Sequence, residues 1–207
     1  MSDYYYFVNY NSGYVLDVSE ASKHSGAGLI QWHQKGKTDS DNQLWTFNSD
    51  LTDGVEFGPI YNKESSLVLS VPKSGAGASG TQLVQEKQSG AEGSSNQLWQ
   101  MISVSFEGMP ATYQESYYML VNEQTNMVVD VDHESLAESA RIIQYPPHPY
   151  AVKSKSPFPG DYWLLEPGYP LNQVWGLVPQ GGFPPTYGVG VPGEGKSGGV
   201  ETTKPRS

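Results

Sequence analysis

The side chains with the most chemistry to offer recur in step along the chain. Asp17 and Asp130 each sit in a short apolar run, and Gln31 and Gln144 each end a later one. Asn42-Gln43 and Asn172-Gln173 each open a word that ends in tryptophan. An ionised carboxylate accepts strong, directional hydrogen bonds, and a primary amide both donates and accepts. The set is equipped for hydrogen-bonded recognition and poorly equipped for breaking bonds. The four histidines, His24, His33, His133 and His148, lack metal-ligand spacing. There is no Gly-x-Ser-x-Gly elbow and no Ser-His-Asp order. Carboxylates are plentiful, so a glycosidase pair stays open on the sequence alone, although the matched ones fall in separate segments. Gly75 to Gly80 fits a nucleotide-loop pattern, but a short β run follows it instead of a helix.

The elements that must position these residues are repeats. Asn42-Gln43-Leu44-Trp45 returns as Asn96-Gln97-Leu98-Trp99 and as Asn172-Gln173-Val174-Trp175. Upstream, the steps from Asn9 to Asp17, from Asn62 to Ser70 and from Asn122 to Asp130 are equal. A middle run recurs as Leu29-Ile30-Gln31, Leu83-Val84-Gln85 and Ile142-Ile143-Gln144. Each unit therefore reads strand, turn, strand, Gly/Ser loop, strand, polar loop, then the Gln-x-Trp strand. One such unit cannot bury its own apolar face, but three around an axis can. The repeats span about 4–50, 51–103 and 104–178. The third is longer, and its excess lies between Pro146 and Pro170, rich in proline and aromatics, which predicts a stiff loop there. A smaller insertion near Ser105 to Gln114 separates repeats two and three. Residues 179–207 read as a Gly/Pro-rich flexible tail, with Phe183, Tyr187, Val189 and Val191 as the grip if it forms an ordered strap.

Composition agrees with an all-β chain. Its 207 residues include 23 Gly and 15 Pro, and the apolar runs are short and bounded by turn residues. A net charge of -10 disfavours nucleic acid and anionic membranes as partners. There is no cysteine, hence no thiol chemistry. The apolar runs are too short to insert across a bilayer, and no signal-peptide pattern precedes Tyr4. The expected location is cytoplasmic, with leaderless secretion as the alternative.

Three units closing on Gln-x-Trp resemble the R-type lectins, the ricin B-chain-like β-trefoil domains, over residues 4–178. The resemblance implies a barrel of strands capped by three hairpins in pseudo-threefold arrangement, with Trp45, Trp99 and Trp175 filling the shared core. It also implies a shallow sugar pocket in each intact repeat. An Asp accepts from two hydroxyls, a middle-strand Gln lines the pocket, an aromatic ring two positions later stacks on the sugar, and the Asn-Gln pair completes the contacts. A galactose-like ring has one face of C–H groups and a cluster of hydroxyls, so it needs a flat π surface and a fixed acceptor pair.

In repeat one these positions are Asp17, Gln31, His33, Asn42 and Gln43, with Trp32 expected on the far side of its strand and buried. Repeat two has Ser70 and Lys87 in place of acid and ring, so no site is expected there. Repeat three has Asp130, Gln144, Asn172 and Gln173, but Pro146 at the stacking position. There Tyr145, His148 or Tyr150 is expected to cover the pocket. The implied activity is binding of galactose or N-acetylgalactosamine, without catalysis or cofactor. The implied partners are glycans of glycoproteins or glycolipids, with homodimerisation as a source of avidity. The alternative is a β-trefoil protease inhibitor acting through an exposed loop, the long Pro-rich segment being the candidate.

Overall fold

Short apolar runs broken by turn residues fold as short strands. The computed structural model describes residues 3–36, 38–48, 52, 56–75, 77–107, 117–154 and 161–182. Repeat one contributes β1 (Tyr5–Asn9), β2 (Val15–Val18), β3 (Ala27–Trp32) and β4 (Trp45–Thr46). Repeat two contributes β5 (Tyr61–Asn62), β6 (Val68–Ser70), β7 (Thr81–Gln82), β8 (Val84–Glu86) and β9 (Trp99–Ser105). Repeat three contributes β10 (Tyr117–Asn122), β11 (Val128–Val131), β12 (Ile142–Tyr145), β13 (Tyr150–Ser154), β14 (Asp161–Leu165) and β15 (Trp175–Pro179).

One pairing rule is used three times. The Gln-x-Trp strand of each repeat pairs antiparallel with the Asn-led strand of the next: Trp45 faces Asn62, Trp99 faces Asn122, and Trp175 faces Asn9. The last of these, β15 on β1, joins the end of repeat three to the start of repeat one and closes the ring. The pairs β2–β3, β6–β8 and β11–β12 form the three caps. The architecture is the all-β, pseudo-threefold β-trefoil that the resemblance implies.

The axis is filled as the repeats require. Trp45, Trp99 and Trp175 are all but fully buried in one cluster with Phe7, Leu16, Leu69, Met101 and Val129. Each indole N–H donates to a cap-strand carbonyl: Leu16 at 3.2 Å, Leu69 at 2.9 Å and Val129 at 3.1 Å. A buried indole left without an acceptor would lose much of what its area contributes.

Two sets of side chains tie each repeat to the one before it. The first is the leading asparagines. Asn62 Nδ2 donates to the carbonyls of Asn42 and Leu44, and Asn122 Nδ2 to that of Leu98. Asn9 Nδ2 donates to Asn172 O at 2.8 Å, from repeat one back to repeat three. Each Oδ1 meanwhile accepts backbone N–H groups of its own turn, as from Asn11 and Ser12. The second set is the middle-strand glutamines. Gln31 Nε2 donates to Ser135 and Ala137 carbonyls, Gln85 to Ser22 and His24, and Gln144 to Gly75 and Ala78.

One copy of this second tie is incomplete. Ser12 and Ser65 each donate a hydroxyl to their glutamine Oε1 at 2.7 Å, whereas Gln144 Oε1 is buried with no partner among the described residues. The corresponding residue of repeat three is Thr125, which is β-branched and restricted at χ1. Thr125→Ser should restore the missing donor and raise unfolding stability by about 1 kcal/mol. Urea denaturation of the two proteins measures it, and an unchanged or lower midpoint contradicts it.

The Pro146 to Pro170 segment differs from the stiff loop that its composition predicts. It contains a hairpin, β13 on β14, and β14 adds parallel to β9 with Trp163 opposite Val104. The reason is placement: the prolines lie before, between and after two runs of good β formers and interrupt neither. The hairpin completes a second core of Val104, Phe106, Tyr117, Met119, Trp163 and Leu165. Of the smaller insertion, residues 108–116 lie outside the described part, as do residues 183–207 of the tail with Phe183, Tyr187, Val189 and Val191. The described chain continues past residue 178, since Gln180 N–H donates to Tyr4 O at 2.8 Å.

Candidate functional site

The three Asn-Gln pairs are built into the same bracket. The Asn Nδ2 donates to the carbonyl following the acid position: Val18, Val71 or Val131. The Gln Nε2 donates to the carbonyl two residues beyond the middle-strand Gln, at His33, Lys87 or Pro146. The Gln Oε1 accepts the N–H of Lys35, Ser89 or His148. Asn42, Gln43, Asn172 and Gln173 are thus buried braces that fix the loop over the acid.

In repeat one, Asp17 is 2% exposed. Its Oδ2 accepts from Gln43 Nε2 at 2.8 Å and pairs with the Lys35 ammonium at 3.0 Å. Lys35 Nζ also donates to Asn42 Oδ1 at 3.1 Å. Burial pushes the Asp17 carboxyl above its ordinary value, and the Gln43 amide and the Lys35 charge pull it back. Above this layer lies an open hollow of about 610 Å³, lined by His33, Lys35, Asp39, Asp41, Asn42 and Glu64 among others. His33 is 55% exposed, and its Nδ1 lies 2.6 Å from Glu138 of repeat three. Asp41 pairs with Lys63 at 2.7 Å and Glu64 with Lys23 at 2.6 Å.

Repeat three repeats the buried layer. Asp130 is 3% exposed, with Oδ1 accepting from Asn172 at 3.0 Å and Oδ2 from Gln173 at 2.7 Å. His148 Nε2 lies 3.0 Å from Asn172 Oδ1, and its ring leans on Tyr169 with centroids 5.5 Å apart. Tyr145 and Tyr169 are each 45% exposed, and Tyr145 shares the sheet face of Asp130, whose cross-strand partner is Ile143.

Three sequence expectations are corrected here. Gln31 and Gln144 do not line a pocket. They alternate with Ile30 and Ile143, lie on the core side of their strands, and serve as ties between repeats. Tyr150 does not cover Asp130; its ring stacks on Trp163 at 3.7 Å in the second core. Trp32 is half-buried and lies with Ile30 on the sheet face that carries Asp17. His33 does line the hollow, and His148 does reach the Asp130 cluster.

The sequence reading missed Lys35. Its signal was available: Lys35 follows Gln31 by the step that separates His148 from Gln144. It also missed Glu86. Ser70 has replaced the acid of repeat two, and Ser70 Oγ donates to Glu86 Oε2 at 2.5 Å. A carboxylate thus reaches the same face from the neighbouring strand.

The Asp130 carboxyl is pushed up to about 6 by burial, with the Gln173 amide, the nearby His148 and the Asn172 amide opposing and Asp132 assisting. A folded value above the ordinary 3.8 means that the fold binds this proton more tightly than the unfolded chain. Its contribution to stability is full below about pH 4 and is lost as pH rises through 6. Asp130→Asn removes that dependence. Between pH 4.5 and 7 the variant should gain on the wild type by roughly 2 kcal/mol in urea unfolding. A constant difference between the two proteins across that window refutes it.

The profile of a family described as ricin-type beta-trefoil lectin domain-like matches residues 1–86 and 41–145. Among solved structures, a designed 3-fold symmetric protein, ThreeFoil, is similar at 27% identity and a TM-score of 0.59, covering 84% of this chain and 97% of that one. The earthworm R-type lectin C-half, solved in complex with GalNAc, shares the fold at 16% identity and a TM-score of 0.55, over 86% of this chain and 98% of its own. An exo-beta-1,3-galactanase from Clostridium thermocellum shares it at 24% identity and 0.59 over 86% of this chain, in a match spanning only 30% of the galactanase. No curated protein sequence matches the chain.

Proposed function

The chain belongs to the ricin-type β-trefoil lectin domain-like family, and from that premise we propose that it binds carbohydrate without transforming it. The observation that carries the reading is the hollow of repeat one. A flat imidazole, an ammonium, an amide oxygen and three carboxylates converge on one open concavity large enough for a hexose. The bracket beneath fixes Lys35, Asn42 and the backbone at His33, so binding orders fewer side chains. The proposed ligands are galactose or N-acetylgalactosamine at glycan ends, with His33 against the C–H face and the polar groups against the hydroxyls. In repeat three, Tyr145, His148 and Tyr169 around Asp130 form the second proposed contact area. Shallow sites of this kind bind weakly alone, and two per chain, or a homodimer, would raise avidity on multivalent glycoproteins or glycolipids.

In this reading Asp17 and Asp130 act from below, by holding Lys35, Gln43, Asn172 and Gln173 in place. On a glycan array with lactose as competitor, Asp17→Ala and Asp130→Ala should each weaken binding on the order of tenfold, the loss of a charge-assisted hydrogen bond. Undiminished binding by the folded double variant would remove both areas from consideration.

A further inference from the structure

We infer that Lys35 is a sugar-contacting donor of the repeat-one hollow, a role that rests on the carbohydrate reading above and sharpens it. An ammonium carries three N–H donors. Two are spent below the hollow, on Asp17 Oδ2 at 3.0 Å and on Asn42 Oδ1 at 3.1 Å. Among the described residues the third has no partner, and the side chain is 23% exposed on the wall of the hollow. Both acceptors are themselves fixed: Asp17 by Gln43, and Asn42 by its bond to Val18 O. The donor is therefore aimed before any ligand arrives, so little rotamer entropy is lost on contact.

The consequence for recognition is specific. The Asp17 carboxylate is covered and already receives two donors on one oxygen, so it is not the group a hydroxyl meets first. The ligand meets an N–H from Lys35 and a carboxylate that lines the same hollow. Among the described residues no cation pairs with Asp39, which leaves it as that acceptor. A sugar hydroxyl can accept from the first and donate to the second at once.

The repeats supply independent support. Where the acid is kept, the residue after the middle strand gives a side-chain donor to the bracket asparagine: Lys35 to Asn42 in repeat one, His148 beside Asn172 in repeat three. Where the acid is lost, the residue there is Ser89, and Ser94 serves Asn96 instead. Lys35 thus belongs with the acid-bearing arrangement, and in repeat one it is also on the surface of a concavity.

The test separates contact from support. Lys35→Met strands the Asp17 charge, so loss of binding by it alone would be ambiguous. Asp17→Asn/Lys35→Met removes both charges and leaves an oxygen for the Gln43 amide. It should melt near the wild-type temperature and yet bind immobilised lactose at least about tenfold more weakly than Asp17→Asn alone, which keeps the ammonium, the difference being the worth of one charge-assisted contact. Equal affinities of the folded Asp17→Asn variant and the folded double variant overturn the inference. In parallel, the Lys35 side-chain nitrogen resonance of the unmodified protein should shift as lactose is added. No shift at saturating lactose also overturns it, whatever the variants do. If the unmodified protein binds no glycan on the array, the carbohydrate reading itself fails and this inference with it. If it binds lactose with Lys35 undisturbed, only this inference fails.

Discussion

Trp99→Ala should cost about 3–5 kcal/mol of unfolding free energy, the range for a large aromatic removed from a close-packed core. Trp99 is fully buried, and it sits where the three repeats meet. Its removal opens a cavity that backbone from all three must collapse to fill. It also strands the Leu69 carbonyl, which accepts the indole N–H at 2.9 Å. A domain of this size holds roughly 5–15 kcal/mol in all, so the variant should lose a large part of its margin. Trp99→Phe separates the two contributions: it retains most of the packing and loses the hydrogen bond, and should cost about 2 kcal/mol. Urea unfolding followed by circular dichroism reads both. Trp32→Ala, at a half-buried face position, is the internal comparison and should cost clearly less. Equal losses at Trp32 and Trp99 would mean that the shared axis is not where the stability resides.

Gln173→Leu should be nearly as damaging, and for an electrostatic reason. The amide of Gln173 donates to Asp130 at 2.7 Å and to Pro146 O at 3.0 Å, and its oxygen accepts the His148 N–H at 2.8 Å. Leucine fills similar volume but supplies none of these. An acid that burial already pushes up to about 6 loses its chief opposing partner, so its carboxyl should move higher still. At pH 7 the cost should be about 3 kcal/mol or more, since a buried charge is left under-compensated. At pH 4.5 the cost should shrink, because a neutral carboxyl misses the amide less. Unfolding at the two pH values tests the sign. A larger loss at the lower pH would show that Gln173 does not chiefly serve Asp130.

What could be read from the sequence was what repeats by residue type. The tryptophans and the Asn-Gln pairs stand in phase, and that phase alone dictates three units sharing one core. The side on which a residue faces was harder to see. Gln31 and Gln144 look like pocket amides by identity, yet alternation with Ile30 and Ile143 puts them on the core side, and only the register against Leu16 and Val129 makes that plain. Composition misled in the inserted segment, where prolines outside two good strands hid a hairpin. Lys35 was easy to pass over because lysine at a surface loop is usually solvated; its meaning comes from a buried acid 18 positions earlier, and the step it shares with His148 is its only trace in the sequence.

The backward direction of the asparagine ties bears on synthesis. Asn62 and Asn122 grasp chain that has already left the ribosome, but Asn9 must wait for Asn172 O, 163 positions later. Of the three repeats, the one made first is therefore the last to find its neighbour. Vectorial emergence can build the middle of the ring early, and sealing it is a late, long-range event, slow in the way that distant contacts are slow.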